Sequence, residues 1–163
     1  MKILIVTDAW EPQVNGVVRT LQATIGELRK SGHQVEVISP DLFRSIPCPS
    51  YSEIRLAFAG RRRVGRMIAR FAPQAIHISS EGPLGLAARR WCVKNGFPFT
   101  TAYHTRFPEY VAARLPLSPA LVWRFIRWFH RPAQHIMVAT RSLAHELAEQ
   151  GLTQTMMWER GVG

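Results

Sequence analysis

The amino-terminal segment constrains the fold most, because a short apolar run ends in polar residues and leads directly into a helical pattern. Residues 2–7 include four consecutive apolar side chains, and apolar residues recur at helical spacing over residues 17–30. This order predicts a strand–loop–helix joint at the carboxyl end of a parallel strand. Ligands of open α/β sheets bind at such ends, so the polar loop between the two elements is the first candidate site.

The same alternation continues along the chain and indicates the fold class. Further strands are predicted at residues 34–39, 54–58, 75–79, 97–102, 134–139 and 153–158, and further helices at 60–71, 84–94, 104–114, 119–131 and 141–150. Strands that alternate with helices predict an α/β domain, Rossmann-like and doubly wound, with a mainly parallel sheet. Prolines predict a loop over residues 41–53, and Pro98 predicts a strand that lies at a sheet edge or begins at residue 99.

The charge of the chain is unevenly distributed. Its 163 residues carry 21 Lys and Arg against 11 Asp and Glu, a net charge of +10, and the whole surplus lies after residue 60. A basic surface of this kind favours anionic partners such as phosphates, acidic lipid headgroups or nucleic acid. No apolar run reaches the roughly 18 residues that span a bilayer, and the start lacks the apolar core of a signal peptide. These features predict a cytoplasmic protein whose membrane contact is at most peripheral, on the inner face of the membrane.

Polar residues follow three of the predicted strands. Asn15 and Gly16 precede the first helix, where a residue without a side chain lets backbone N–H groups approach an anion, although Asn15 could equally be a simple helix cap. Glu81 precedes the helix at 84–94, where it either offsets the helix dipole or binds a ligand hydroxyl. His104 directly follows a strand, with Arg106 two residues on. Its imidazole can donate a hydrogen bond to a ligand oxygen or exchange a proton.

Two predicted helices are rich in arginine. The helix at 60–71 contains five arginines, and residues 122–131 combine four large aromatic side chains with three arginines. Such helices are typical of an interfacial membrane surface; the alternative is that the aromatic side chains are core and the arginines merely solvated. No recognised nucleic-acid-binding module is present, so nucleic acid is not a predicted partner. The histidines lack the spacing of a metal site, and no metal is predicted.

Taken together, these motifs resemble the N-terminal domain of retaining glycosyltransferases of family 4, which have the two-domain GT-B architecture. The resemblance rests on three segments in the same order, TDAWEPQVNGVVRTL at 7–21, EGPLG at 81–85 and YHTRFPEY at 103–110. It extends over essentially the whole chain. The most similar branch contains GDP-mannose-dependent α-mannosyltransferases and sulfoquinovosyl- or glycosyldiacylglycerol synthases.

The resemblance implies roles for particular residues. His104 would be the catalytic contact to the transferred sugar, Asn15 and Gly16 would approach the donor diphosphate, and the acceptor or sugar site would include Asp8, Glu81 and Arg106. The membrane- or anion-facing surface would be formed by Arg61, Arg62, Arg63, Arg66 and Arg70. No cofactor or metal is implied, because the nucleotide sugar is a co-substrate.

The resemblance also implies a division of labour between two domains. Residues 1–163 would form the N-terminal, acceptor-side domain, and the C-terminal domain that holds the donor nucleotide would be absent from this chain. The expected reaction moves a sugar from GDP-mannose or a UDP-sugar to a lipid or glycan acceptor. The chain alone is predicted to be inactive, since half of the phosphate stabilisation is missing. The rival hypothesis is a non-catalytic α/β module that binds anionic lipid or a partner protein.

Overall fold

A central parallel sheet and a separate hairpin organise the chain. The computed structural model describes residues 1–8, 16–42, 44–48, 51–58, 61–104 and 118–157. Its strands are β1 (Lys2–Val6), β2 (Gln34–Ile38), β3 (Arg44–Cys48), β4 (Tyr51–Phe58), β5 (Ala75–Ile78), β6 (Thr100–Tyr103), β7 (His135–Val138) and β8 (Thr155–Met157). Six of them form a sheet in the order β2-β1-β5-β6-β7-β8, in which every pairing is parallel. The predicted α/β, Rossmann-like fold is confirmed.

Helices cover both faces of this sheet. The helices in the described ranges are α1 (Gly16–Lys30), α2 (Arg61–Phe71), α3 (Pro83–Asn95), α4 (Pro119–His130) and α5 (Arg141–Glu149), with a 3₁₀ turn at Pro40–Leu42. Helix α1 packs Leu21 and Ile25 against Ile5 of β1 on one face. The core of the opposite face contains Leu4 and Val6 of the same strand together with buried residues of the other four helices. Successive strand residues point to opposite faces, so β1 contributes to both cores.

Local capping chemistry sets the ends of several helices. Ser118 and Thr140 lie at the N-caps of α4 and α5, and their hydroxyl oxygens accept hydrogen bonds from Leu121 N and Leu143 N. Each hydroxyl thus satisfies one of the N–H groups that the first turn of a helix leaves unpaired. Helix α3 ends at Gly96, whose φ of 62° is the left-handed conformation that glycine adopts without strain.

Of the two predictions that rested on proline, the loop at 41–53 is wrong, and the Pro98 prediction is correct in its second alternative. Residues 41–53 were expected to form a loop, but β3 and β4 pair as an antiparallel ribbon in which Pro47 lies opposite Arg55. Both strands of a two-stranded ribbon are edge strands. Proline is tolerated in an edge strand because its nitrogen can face away from the partner strand, where no N–H donor is needed. Strand β6 is central in the sheet and begins at Thr100, so the alternative of a strand that begins beyond Pro98 is correct to within one residue. The helix predicted at 104–114 falls, after His104, outside the described residues.

Candidate active site

The carboxyl ends of β1, β5 and β6 meet at the point where the sheet reverses its winding direction. Strand β1 lies between β2 and β5. The chain first adds β2 on one side of β1 and then adds β5, β6, β7 and β8 in turn on the other side. Asp8, Glu81 and His104 follow these three strands. Ser79 joins them, since its N–H donates to Val6 O at 2.8 Å and its carbonyl accepts from His104 Nε2 at 3.0 Å. Three sequence-predicted site residues thus lie at one edge of the sheet, beside the switch point at which α/β sheets form their ligand-binding crevice.

The carboxylate of Asp8 holds the N-terminus of α3. Its Oδ1 accepts from Leu84 N at 2.8 Å and its Oδ2 from Gly85 N at 3.3 Å. The Ser80 hydroxyl donates to Oδ2 at 2.6 Å and accepts from Asp8 N at 2.8 Å. The helix has no side-chain cap of its own at Gly82, so Asp8 satisfies its unpaired N–H groups from another strand. A direct contact of Asp8 with sugar stays a prediction.

Gly82 makes room for this carboxylate, and Gly85 makes room for the backbone of Ser80. A Cβ added at Gly82 would lie 2.6 Å from Asp8 Oδ2, and one added at Gly85 would overlap the carbonyl oxygen of Ser80. The side chain of Asp8 is only 1% exposed. Burial therefore raises the pKa of the Asp8 carboxyl, against the hydrogen bonds from Ser80, Leu84, Gly85 and Gly82, which lower it.

Glu81 bonds to a buried histidine instead of capping α3. His130 Nε2 lies 2.8 Å from Glu81 Oε1, and His130 Nδ1 lies 2.7 Å from the hydroxyl of Thr101 in β6. A carboxylate only accepts hydrogen bonds, so Nε2 of His130 carries a proton. No sequence pattern indicated this pairing, because the partners of His130 lie 29 and 49 residues away along the chain.

The geometry at His104 sets which nitrogen faces a ligand. The Ser79 carbonyl can only accept, so Nε2 is the protonated nitrogen that donates to it. Burial lowers the pKa of His104, and the charge of Glu81 and the bond to Ser79 oppose part of that effect. The ring is then neutral at pH 7, and Nδ1 is a hydrogen-bond acceptor. Nδ1 of the neutral ring can accept a hydrogen bond, whereas donation from Nδ1 to a ligand oxygen would require the charged ring.

His77 gives the fold a dependence on pH. Part of the residue surface reaches solvent, but Nε2 is buried and Nδ1 lies 2.8 Å from Thr100 Oγ1. Desolvation lowers the His77 pKa from 6.5 to about 3, and the charge of His104 lowers it by a smaller amount. Between these values the unfolded chain binds more protons than the folded one. The contribution of His77 to the free energy of unfolding should therefore be greatest above pH 6.5 and fall toward pH 3, by at most about 1.4 kcal/mol per pH unit. Urea unfolding at several pH values should show a flatter slope for His77→Asn; an identical slope would contradict the assignment.

Helices α2, α3 and α4 form a basic layer on the face of the sheet opposite α1. These three helices hold ten Arg and Lys residues and no Asp or Glu. Arg89 joins α3 to α4, because its guanidinium stacks 3.7 Å from the ring centroid of Trp128 and donates to the carbonyls of Trp128 and Phe129. The ring of Trp128 is nevertheless 50% exposed. The aromatic side chains of α4 therefore differ in their environment, since Phe129 lies in the core and Trp128 lies at the surface.

The predicted arginine surface of α2 is exposed. All five arginines of this helix face solvent, and three of them, with Met67, line an open groove of about 370 Å³: Arg63, Arg66 and Arg70. Arg61, Arg62 and Arg63 occupy the first turn, where positive charge opposes the helix dipole. Local helix stability does not explain that placement.

Some of the predicted residues cannot be compared with the structure. Asn15 and Arg106 lie outside the described residues, and of Gly16 only its position as the first residue of α1 is described. In the described ranges, no cluster of three or more His, Cys, Asp or Glu residues could hold a metal. Cys92 is a buried thiol whose pKa burial raises to about 12, which leaves it unreactive. The predicted independence of metal stays a prediction.

Comparison with known proteins identifies the family. The model of the Glycosyltransferase Family 4 domain matches residues 14–162. The chain belongs to glycosyltransferase family 4, and the resemblance predicted from its sequence is confirmed. Sulfoquinovosyl transferase SQD2 of Arabidopsis thaliana is 32% identical over 91% of this chain. A GDP-mannose-dependent alpha-mannosyltransferase of Mycobacterium tuberculosis is 24% identical over 99% of it, and an alpha-monoglucosyldiacylglycerol synthase of Streptococcus pneumoniae 27% over 79%.

These relatives are longer proteins. The matches cover 32%, 48% and 33% of their respective lengths, so the chain spans about a third to a half of each. Among the helices of the described ranges, none combines the length and apolar character needed to cross a bilayer.

Proposed function

We propose that this chain is the N-terminal, acceptor-side half of a retaining glycosyltransferase, one that moves a sugar from GDP-mannose or a UDP-sugar to a lipid or glycan acceptor. The family assignment supports the reaction class. The observation that carries the proposal is the convergence of Asp8, Glu81 and His104 at the carboxyl edge of the sheet, each fixed by hydrogen bonds. Fixed polar groups in a buried crevice are what electrostatic stabilisation of a transition state requires.

Each side chain has a distinct task in this proposal. His104 is neutral and accepts a hydrogen bond from a hydroxyl of the transferred sugar through Nδ1. Glu81 uses one carboxylate oxygen for His130 and offers the other to an acceptor hydroxyl. Arg106 lines the acceptor side, and Asn15 with Gly16 approaches the donor diphosphate from the start of α1. Most of the phosphate stabilisation would come from a C-terminal donor domain outside this chain.

The product of the reaction tests this proposal. A protein in which this chain continues into its donor domain should transfer sugar to a lipid acceptor and keep the anomeric configuration of the donor, as read by NMR of the product. The chain of 163 residues alone should give no transfer. Transfer by the isolated chain, or an inverted product, would contradict the proposal.

We further propose that the basic layer rests on an anionic membrane, with the protein peripheral on the cytoplasmic face. Arg61 and Arg62, placed against the α2 dipole, are explained if an external anion neutralises their charge. The exposed ring of Trp128 and the exposed Leu121 add apolar contact beside that charge. The alternative hypothesis, a non-catalytic module that binds anionic lipid, predicts the same membrane surface. The two hypotheses differ because only the transferase moves sugar.

Reversing one charge in the first turn of α2 should change stability and membrane binding in opposite directions. Arg62→Glu should raise the free energy of unfolding by about 0.3–1 kcal/mol, because a carboxylate suits the first turn of α2. The same change should weaken binding to vesicles with anionic lipid roughly tenfold or more, since each basic residue near the surface contributes about 1 kcal/mol.

A matched control lies on the other face of the sheet. Arg19 is exposed in the first turns of α1, so Arg19→Glu should gain comparable stability without loss of vesicle binding. Equal losses in the two variants would show a general effect of net charge and would overturn the placement of the membrane surface.

A further inference from the structure

His130 joins three elements that border the crevice. It lies at the end of α4, fully buried, and it bonds to Thr101 in β6 and to Glu81 in the segment after β5. Its backbone carbonyl also accepts from Gln154 Nε2 at 3.3 Å. Each ring nitrogen of this side chain has a polar partner, so its orientation is fixed from both sides.

We propose that His130 is a positioning residue, which holds the Glu81 carboxylate beside His104 at the acceptor side of the crevice. The proposal rests on the function proposed above and adds a residue to its machinery. The second oxygen of Glu81 then points to a defined place, where it accepts a hydrogen bond from the acceptor hydroxyl. Without His130 the Glu81 side chain would turn toward solvent.

Core packing alone does not account for a histidine here. The ring contacts Phe129 and Tyr103 edge-on, with centroids 5.0 and 6.1 Å away, an environment that an apolar side chain could fill. Burying a polar ring is unfavourable unless both nitrogens are bonded, and apolar replacements of buried polar groups are often neutral for stability. The two bonds that His130 makes are specific to its polar atoms and end on a carboxylate at the sheet edge.

Electrostatics at His104 offers a signature for this arrangement. Glu81 raises the His104 pKa and His130 lowers it, while burial, the largest effect, also lowers it. His77 is the other titratable group that His104 influences. If His130 acts only as a neighbouring charge, its removal should raise the His104 pKa. If His130 holds Glu81 in place, its removal should lower the His104 pKa.

The test is NMR titration of histidine side chains in the full chain labelled with ¹⁵N-histidine. In His130→Leu, Glu81 loses its anchor, so the His104 pKa should fall. In His130→Gln, whose amide can still donate to Glu81, that fall should be largely absent. In the Glu81→Gln background, His130→Leu should give no further fall. His145→Leu is the matched control, because His145 pairs with Glu149 at 3.0 Å in an exposed helical position, and it should leave His104 unchanged.

The outcomes decide the proposal. A His104 pKa that rises or stays constant in His130→Leu would overturn it, since the direct charge effect would then be all that His130 exerts. If His130→Leu does not fold, Thr101→Val releases the ring from its other side and should move the His104 pKa in the same downward direction. No shift, or an upward shift, in Thr101→Val would overturn it as well.

Kinetics of the complete enzyme provide a second readout. His130→Leu should lower kcat/KM for the acceptor on the order of a hundredfold, the loss expected when a reacting group is misplaced, and His130→Gln should recover most of it. A wild-type protein without transferase activity would defeat the proposed function and leave the titration result standing. An active His130→Leu enzyme with unchanged kinetics would defeat the positioning role alone.

Discussion

His104→Ala should lower kcat/KM for sugar transfer by at least about a hundredfold, as is typical for loss of one preorganised contact to a transition state. The expected cause is the loss of Nδ1, the acceptor for a hydroxyl of the transferred sugar. The fold should survive, because His104 makes its one described hydrogen bond to a backbone carbonyl. Steady-state kinetics in the complete enzyme measure this effect.

His104→Gln separates the ligand role from a structural one. The glutamine amide can reproduce the Nε2 bond to Ser79 O but supplies no acceptor at the position of Nδ1. It should therefore be nearly as inactive as alanine, whereas His145→Ala at an exposed site should match the wild type. Activity of His104→Gln within a few-fold of the wild type would remove Nδ1 from the mechanism.

Asp8→Ala should be the most destabilising single change at the site. It removes the acceptor for the buried N–H groups of Leu84 and Gly85 and for the Ser80 hydroxyl. A lost helix cap costs about 1 kcal/mol and each buried donor left unsatisfied about 1–3 kcal/mol, so the expected loss in free energy of unfolding is about 3 kcal/mol or more. Urea unfolding measures it, and a loss below about 1 kcal/mol would contradict the anchoring role.

The pH dependence of Asp8 supplies the matched variant. Because the folded pKa is raised above 3.8, the folded state binds the proton more tightly than the unfolded state. The contribution of Asp8 to stability is therefore greatest below pH 3.8 and falls as the pH rises through the folded pKa. Asp8→Asn should remove this decline and stay more stable than Asp8→Ala at neutral pH.

The fold and the meeting of the site residues could be predicted from sequence because both follow from local patterns. Apolar runs of strand length alternate with helical spacing, which specifies a parallel sheet. Carboxyl ends of parallel strands share one edge, so polar residues that directly follow β1, β5 and β6 must lie near one another. Glu81 and His104 were therefore predictable from the strand ends, whereas Asp8 was predicted through the family resemblance.

The partners of these side chains could not be predicted, because they depend on contacts between distant parts of the chain. A local interpretation gives the α3 N-terminus to Glu81, the carboxylate beside it in sequence. The pairing of β1 with β5 instead brings Asp8 to that helix, although Asp8 lies 76 residues before Leu84 in the chain. Glu81 then forms its hydrogen bond with His130. The Pro47 strand was missed for a similar reason, since only the ribbon partner reveals that the proline lies at an edge.

The most direct test of the central claim is to watch the histidine signals of the complete, ¹⁵N-histidine-labelled enzyme by NMR while nucleotide sugars are added. If the carboxyl edge of the sheet binds the transferred sugar, one donor should shift the His104 ring signals, above all Nδ1, and leave the exposed His145 unchanged. A donor that the enzyme turns over without any shift at His104 would place the sugar elsewhere and contradict the account.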